Sequence, residues 1–512
     1  MELRGLRHAG LARALAVRPA LLALAALTLL RLALAASVPL APDEAYYFLW
    51  SCHLQPGYFD HPPMVALWIR AGTTLLGTGP LGIRLLGPLS AALGSLLLWD
   101  AGEQLFPRRQ AGLAAAALLN ATLMFGTGAI LMTPDTPLLF FWTAGIAALA
   151  RLLSSGNPRW WLAVGLAAGL ALLSKYTAVL LIASVFLWLL TAPAGRAALR
   201  TPWPWAAVAL AFLVFAPDIA WNAAHQWVSY LKQGGREYFH PLRHADITGF
   251  LTPPHPQPAL NFGPPAAPHG FSLPRPVQFF GEFWGGQLGL FTPVIFFLVL
   301  GGLWALRRSP APAARLLLWL TLLPGAVFLE HVLKGRVQAN WLAILYPSAC
   351  LAAASLPAPT LRRWLNPAVA LGFFLTAVVY AQALTHFLPL PPRADPSALQ
   401  MAGWRGLGRA AGALKPRPAL LASDDYATAA ALAYYGPKNI PVAGFDDYRW
   451  AYFTFPPANL QNKTGLFITR YQPPDCITPP ATLTRLLGRH IIERYHVCYV
   501  TAAAPGVLLA GP

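Results

Sequence analysis

Long apolar runs separated by short polar connections recur along the chain from Ala20 to Leu384. They predict helices near residues 20–38, 85–99, 111–130, 137–150, 160–173, 176–190, 203–217, 290–306, 316–329, 341–356 and 367–384. A helix needs about 20 apolar residues to cross a bilayer, so the shorter runs must borrow flanking residues, and the expectation is about eleven transmembrane helices. The stretch 160–190 reads as two short crossings turning at Ser174-Lys175, because one long helix would put Arg159 and Arg196 on opposite sides. After Leu384 the pattern changes. Residues 419–423, 466–469 and 496–501 read as strands and 427–435 as a helix, an alternation that predicts a small α/β domain. The expected organisation is an all-α polytopic membrane domain over 1–385, with outer loops at about 40–82 and 218–288, followed by the α/β domain over 386–512. Proline-dense residues 252–276 predict an extended loop.

Composition removes the soluble alternatives. Hydrophobic residues make up 56% of the chain and charged residues 11%, where a soluble protein carries about 25% charged residues. The formal charge of +18 could point to nucleic acid, but its placement does not. Arginines collect at every second connection: Arg4 to Arg18, Arg108-Arg109, Arg151 with Arg159, Arg196 with Arg200, Arg307 to Arg315, and Arg362-Arg363. That is the positive-inside pattern of a multi-pass inner-membrane protein with a cytoplasmic N-terminus, the basic excess facing anionic headgroups. No convincing small-residue cleavage site precedes Asp43, so the first span is expected to be retained. The four cysteines contain no CxxC spacing. Cys476 and Cys498 lie on the side expected to be oxidising, where a disulfide and two free thiols both remain open.

The other connections, expected in the periplasm, hold the candidate chemistry. Asp43, Glu44, Asp60 and His61 crowd one loop among aromatic and proline neighbours. A carboxylate there could serve as general base towards an acceptor hydroxyl, and an acid–acid–His set (Asp60, His61, with His225 as a weak third ligand) could hold one divalent metal ion. A plain solvated polar loop is the structural alternative. Asp135 in Thr133-Pro134-Asp135-Thr136-Pro137 fits a helix N-cap, with or without a further role. Lys175, Arg336 and Arg31 are outward-side cations suited to a phosphate-bearing lipid, although Arg31 could merely snorkel. Trp221 and Trp227 fit an interfacial aromatic belt.

Several motifs, in order, resemble one family: Asp43-Glu44-Ala45-Tyr46-Tyr47, Gly57-Tyr58-Phe59-Asp60-His61-Pro62-Pro63, Thr133-Pro134-Asp135, Leu173-Ser174-Lys175-Tyr176-Thr177, Trp221-Asn222-Ala223-Ala224-His225, Gly285-Gly286-Gln287-Leu288-Gly289-Leu290 and Arg336-Val337-Gln338-Ala339-Asn340-Trp341. The chain resembles the GT-C-type polytopic membrane glycosyltransferases, in the bacterial group related to the lipid A aminoarabinose transferase and the dolichyl-phosphate-mannose protein mannosyltransferases. The resemblance implies a GT-C-like fold and transfer of a sugar from a polyprenyl-phosphate donor to a periplasmic glycolipid or saccharide acceptor, by inverting displacement. It implies Asp43 at the reaction centre, with Glu44 and Asp135 beside it. Lys175, Arg336, His61 and Arg31 would face the donor phosphate. Where the aminoarabinose transferase has an acid followed by lysine, this chain has Asp60-His61, which weakens a phosphate contact and eases metal ligation. A protein O-glycosyltransferase is the nearer alternative; a lipid-linked-sugar flippase is the alternative of a different class, disfavoured because the acids gather on one side and no repeat relates the halves.

Overall fold

The computed structural model describes residues 2–107, 111–234, 274–444, 449, 457–458, 464–471, 476–501 and 506–509; the loop expected over 252–276 falls almost wholly outside them. The chain is mostly helical and ends in a small sheet. α1 (Glu2–Ser37) is followed by two helices inside the first polar segment, α2 (Pro42–Cys52) and α3 (Met64–Leu76). α4 (Pro80–Arg84) and α5 (Leu86–Leu105) form one apolar stretch. α6 (Ala111–Ala121) breaks at Thr122, whose hydroxyl accepts from Phe125 N at 3.2 Å and so caps α7 (Leu123–Gly128). Then come α8 (Asp135–Ser155), α9 (Trp160–Leu172), α10 (Val179–Thr191), α11 (Pro193–Ala198), α12 (Trp203–Ala224) and α13 (Val228–Gly234). α14 (Arg275–Phe291), α15 (Pro293–Leu306), α16 (Pro312–Val332), α17 (Tyr346–Ala354) and α18 (Ala358–Thr385) complete the helical part.

Among the described residues six helices are long and apolar enough to cross a membrane: Val17–Ser37, Pro80–Leu105, Asp135–Ser155, Trp203–Ala224, Pro312–Val332 and Ala358–Thr385. α14 and α15 make a seventh candidate, bent by 101° at Thr292. Proline at the start of α15 cannot donate into the preceding helix, and Thr292 turns with φ +69°. The runs expected at 111–130, 160–173, 176–190 and 341–356 fall on shorter apolar helices. α9 ends where the Ser174-Lys175 turn was expected, and a short 3-10 turn over Tyr176–Ala178 leads into α10. α5, α8, α9 and α12 pack in sequence, burying Leu98, Trp142, Ile146 and Ala171 completely. Small residues let the helices approach: a Cβ on Gly165 would lie 2.3 Å from the Ala207 carbonyl.

α19 (Pro396–Met401) and α20 (Trp404–Gly412) lead to β1 (Leu420–Ser423), α21 (Tyr426–Tyr435), β2 (Val442–Gly444), β3 (Pro457–Ala458), β4 (Thr464–Thr469), β5 (Ala481–Leu487), β6 (His490–Thr501) and β7 (Gly506–Leu509). The sheet order is β3-β7-β2-β1-β4-β6-β5, with β1 parallel to both β2 and β4 and the other pairings antiparallel. The expected strands and helix of this part are present. The further strands are two to seven residues long or half-exposed, too short or too polar for a period-2 signal. Cys476 and Cys498 form a disulfide. The sheet part does not stand apart, because one hydrophobic core joins Tyr46, Phe48 and Trp50 of α2 to Ala430 and Leu432 of α21 and Leu421 of β1.

Candidate active site

The acidic pair that opens α2 divides its labour. Pro42 at the first helical position fixes the helix start, so Asp43 and Glu44 fall in the first turn, where the helix dipole favours negative charge. Glu44 is turned into the protein and is 1% exposed. Its oxygens accept from Arg84 Nε at 2.6 Å and Nη2 at 2.5 Å, from Ala41 N at 3.0 Å and from Met132 N at 3.0 Å. Arg84 also donates to the carbonyls of Ala35, Val38 and Pro39. One bidentate pair thus ties the end of α1, the start of α2, α4 and the Met132 turn together.

Asp43 keeps contact with solvent and accepts a hydrogen bond on Oδ1 from the Tyr426 hydroxyl at 3.0 Å. Crowding by surrounding protein raises its carboxyl above the ordinary range, Tyr426 and Arg449 act in the opposite sense, and Glu44 and Asp425 add to the rise. Asp60 lies near by. Its carboxylate accepts from Tyr46 at 2.8 Å, from Arg449 Nε at 3.1 Å and from Lys232 Nζ. Lys232 also stands 4.3 Å over the Phe59 ring, and Arg449 4.2 Å over that of Tyr426.

Asp135 is the first residue of α8 and does not cap it; Pro134 holds the cap position. The capping account of its residue type therefore fails. Its Oδ1 instead accepts from Lys175 Nζ at 2.7 Å, and its Oδ2 faces Asn340 Nδ2 at 3.4 Å. Lys175 occupies the break after α9, and Met64 N at the start of α3 donates to Leu173 O in that break at 3.0 Å. Tyr176 reaches Asp218 on α12 at 3.3 Å. Gly57 lets Asp218 and Trp221 close on the first loop: a Cβ there would stand 3.1 Å from Asp218 Oδ1 and 2.8 Å from the Trp221 ring. The structure thus gathers the first loop, the Asp135 turn, the Lys175 break and the end of α12 around one place.

An apolar cavity of about 240 Å³ runs from there between α5, α7 and α8, walled by Gly87, Ala91, Leu119, Phe125, Leu139 and Phe140. Its polar end is Thr133, Asp135, Thr136 and Asn340. The mostly apolar lining suits an apolar group whose polar head meets Asp135, the partner of Lys175.

The other expected residues lie differently. Arg336 donates to Glu282 Oε2 at 2.8 Å on the exposed side of α14, while Asn340 of the same segment carries that segment to Asp135. Arg31 is 1% exposed inside α1, donates to Asn120 Oδ1 at 2.8 Å and lies over the Phe125 ring. That contact set packs α1 against α6 and α7. His61 is half-buried, its ring 6.3 Å from that of Tyr47. His225 stacks on Trp221 at 4.1 Å, and its Nδ1 bonds the Trp221 carbonyl at 2.7 Å. The residues proposed for a divalent ion do not fit one: Asp60 is satisfied by two cations and a tyrosine. Among the described residues no three of His, Cys, Asp and Glu come together to hold a metal.

Sequence reasoning passed over Arg84, Lys232, Tyr426 and Arg449. Arg84 carried a signal, being an arginine on the side the charge rule assigns to the acids. Lys232, Tyr426 and Arg449 carried none, because tertiary folding brings them in from distant segments.

A model of the family described as dolichyl-phosphate-mannose-protein mannosyltransferase matches residues 60–221. The chain is 28% identical over 314 residues to the lipid A galacturonosyltransferase RgtD of Rhizobium johnstonii; the match covers 61% of this chain and spans 59% of the relative's length. The fold is that of ArnT from Cupriavidus metallidurans in the apo state, with a TM-score of 0.60 at 15% identity over 94% of this chain and 98% of the other. The same protein bound to undecaprenyl phosphate superposes with a TM-score of 0.54 at 16% identity, over 96% and 99% of the two chains. The motif resemblance thus agrees with the comparisons: the chain has the fold of ArnT, matches that family model over residues 60–221, and is similar in sequence to a lipid A-modifying transferase.

Proposed function

We propose that this multi-pass membrane protein is a glycosyltransferase that moves a sugar from a polyprenyl-phosphate donor to lipid A or another envelope glycolipid on the periplasmic face of the bacterial inner membrane. The observation that carries the proposal is the placing of the Asp135–Lys175 pair at the polar end of an apolar cavity, with the first loop of Asp43 tied to both turns. The relative named for lipid A supports the acceptor class, and the neighbour bound to undecaprenyl phosphate supports the donor class.

The chemistry follows from the groups present. The first units of the prenyl tail lie in the cavity, holding the anomeric carbon at its mouth and supplying proximity. An acceptor oxygen attacks that carbon from the face opposite the phosphate. The carbon–oxygen bond to phosphate breaks, and polyprenyl phosphate leaves with the bonding pair. Asp43 receives the acceptor proton, or orients the acceptor where it is already an ionised phosphate. Lys175 has three N–H donors, of which Asp135 takes one, so it can also steady the charge growing on the leaving phosphate. Asp135 positions Lys175 and Glu44 positions the helix of Asp43. The helical part is read as the catalytic domain to about residue 385, with the remainder as the periplasmic domain.

Two measurements test this. Mass spectrometry of envelope glycolipids from cells with and without the protein should show loss of one defined sugar mass; a uronic acid, the sugar named for the relative, is the first to seek. An unchanged glycolipid profile would overturn the acceptor class. In the purified protein Asp43→Asn should lower transfer by about 100-fold or more while donor binding persists. Full activity in that variant would sink the assignment of Asp43.

A further inference from the structure

Three connections leave the carboxyl ends of the parallel strands β1, β2 and β4, the edge at which open α/β sheets bind ligands. Two of them reach the membrane part. The connection after β1 carries Tyr426, whose hydroxyl donates to Asp43 at 3.0 Å. The connection after β2 carries Arg449, which donates to Asp60 at 3.1 Å and covers the Tyr426 ring. The connection after β4 carries Arg470, 3.1 Å from Asp425, the N-cap of α21.

The sheet part is anchored independently of these contacts. Tyr435 donates to Leu40 O at 3.1 Å, Tyr434 to Thr78 O at 3.1 Å, and Phe48 packs edge-on against Tyr434. With α2 and α21 in one core, neither Tyr426 nor Arg449 is needed to hold the two parts together.

We infer that the C-terminal domain is a working part of the reaction centre, in which Tyr426 orients the Asp43 carboxylate and Arg449 holds Asp60 beside it. The inference rests on the transferase function proposed above. A carboxylate has two oxygens, and Tyr426 engages one of them, fixing the plane in which the other meets the acceptor. Hydrogen bonding to the charged form also favours that form. The groups facing Asp43 are Tyr426 and Asp425 of α21, Arg449 of the connection after β2, and Glu44 of its own helix. Glu44 and Asp425 each carry their own cation, Arg84 and Arg470. Asp60 is met by Arg449, Lys232 and Tyr46. Tyr426 and Arg449 are therefore the groups from the sheet part that oppose the rise of the Asp43 carboxyl. Burial pushes the Tyr426 phenol well above its ordinary range, so it stays a donor throughout the working pH range.

The test is the pH dependence of polyprenyl phosphate release, followed by mass spectrometry in envelope membranes holding the full-length chain. In Tyr426→Phe the acid limb should move up by about one pH unit, making release up to about tenfold slower than wild type along the limb and nearer to it on the alkaline side. Arg449→Gln should move the limb the same way, and Arg449→Lys should restore much of the profile. Tyr434→Phe, which loses only an anchoring bond, should leave the profile in place. A merely structural role would lower release equally at every pH in all these variants, and that result, or an unmoved limb in both Tyr426→Phe and Arg449→Gln, overturns the inference. If the wild-type chain itself releases no polyprenyl phosphate, the transferase proposal fails first.

Discussion

Neighbouring acids of one helical turn end in opposite situations here, and local sequence cannot say which will be which. Asp43 and Glu44 share composition, helix and dipole, yet one meets solvent and the other is sealed against Arg84. What decides is Arg84, forty residues on, whose guanidinium needs a fork-shaped acceptor in a buried place. Removing one partner of such a pair leaves an uncompensated buried charge. Glu44→Gln should therefore destabilise the protein by roughly 3–5 kcal/mol, read as a large fall in the midpoint of thermal unfolding in detergent. Asp43→Asn should change that midpoint little, since its carboxylate already contacts water. Equal falls in the two variants would contradict the division of roles. Asp43, Asp135 and Lys175 were legible because each stood out as a charge in an apolar or proline-rich setting. The pairing of Asp135 with Lys175 was not legible, because residues forty apart in sequence become partners only when α8 and α9 pack.

Helices and breaks were more legible than partners, since hydrophobic periodicity is a property of the local chain. The turn at Ser174-Lys175 and the polar first loop appear in the structure close to where they were expected. The bend between α14 and α15 was not foreseen, although Thr292-Pro293 marks it, because an apolar run gives no sign of direction. The passage from α18 into the sheet part turns on Asp395, which accepts from Gln382 at 2.7 Å, from Ser397 N at 2.9 Å and from the His386 ring at 3.2 Å. Burial would raise its carboxyl, but the bonds from Ser397, Gln382 and His386 outweigh burial and hold it at about 2. A carboxyl depressed in the folded state stabilises the fold above its unfolded value of about 3.9 and loses that contribution as pH falls towards the folded value. Wild type and Asp395→Asn should thus differ in melting temperature at pH 7 and converge as pH falls from about 4 to 2. A difference that stays constant across that range would show that the carboxylate charge is not what secures the turn.

For the whole molecule, the charge pattern and the candidate site make one joint claim about direction. The arginine-rich connections alternate along the chain with the connections that hold Asp43, Asp60, Asp135 and Lys175, and Asp43 and Asp60 are bonded by residues of the disulfide-bonded sheet part. A disulfide persists in an oxidising compartment, so the proposed reaction requires the sheet and the site outside, the orientation that the positive-inside pattern also predicts. The order of the sheet could not have been read from the chain, because its C-terminal strand pairs between β3 and β2 through contacts no local pattern encodes. Its side of the membrane is an expectation from the arginine bias, which sets orientation one connection at a time. Two exposed positions separate the alternatives. Leu54 lies just after α2 in the site loop, and Pro310 lies in the arginine-rich connection between α15 and α16. In a chain freed of Cys52 and Cys350, Leu54→Cys should react with a membrane-impermeant maleimide added to intact spheroplasts, whereas Pro310→Cys should react only after the membrane is opened. Labelling in the reverse order would place the acids in the cytoplasm, where a periplasmic acceptor could not reach Asp43, and the proposed reaction would fail on topology alone.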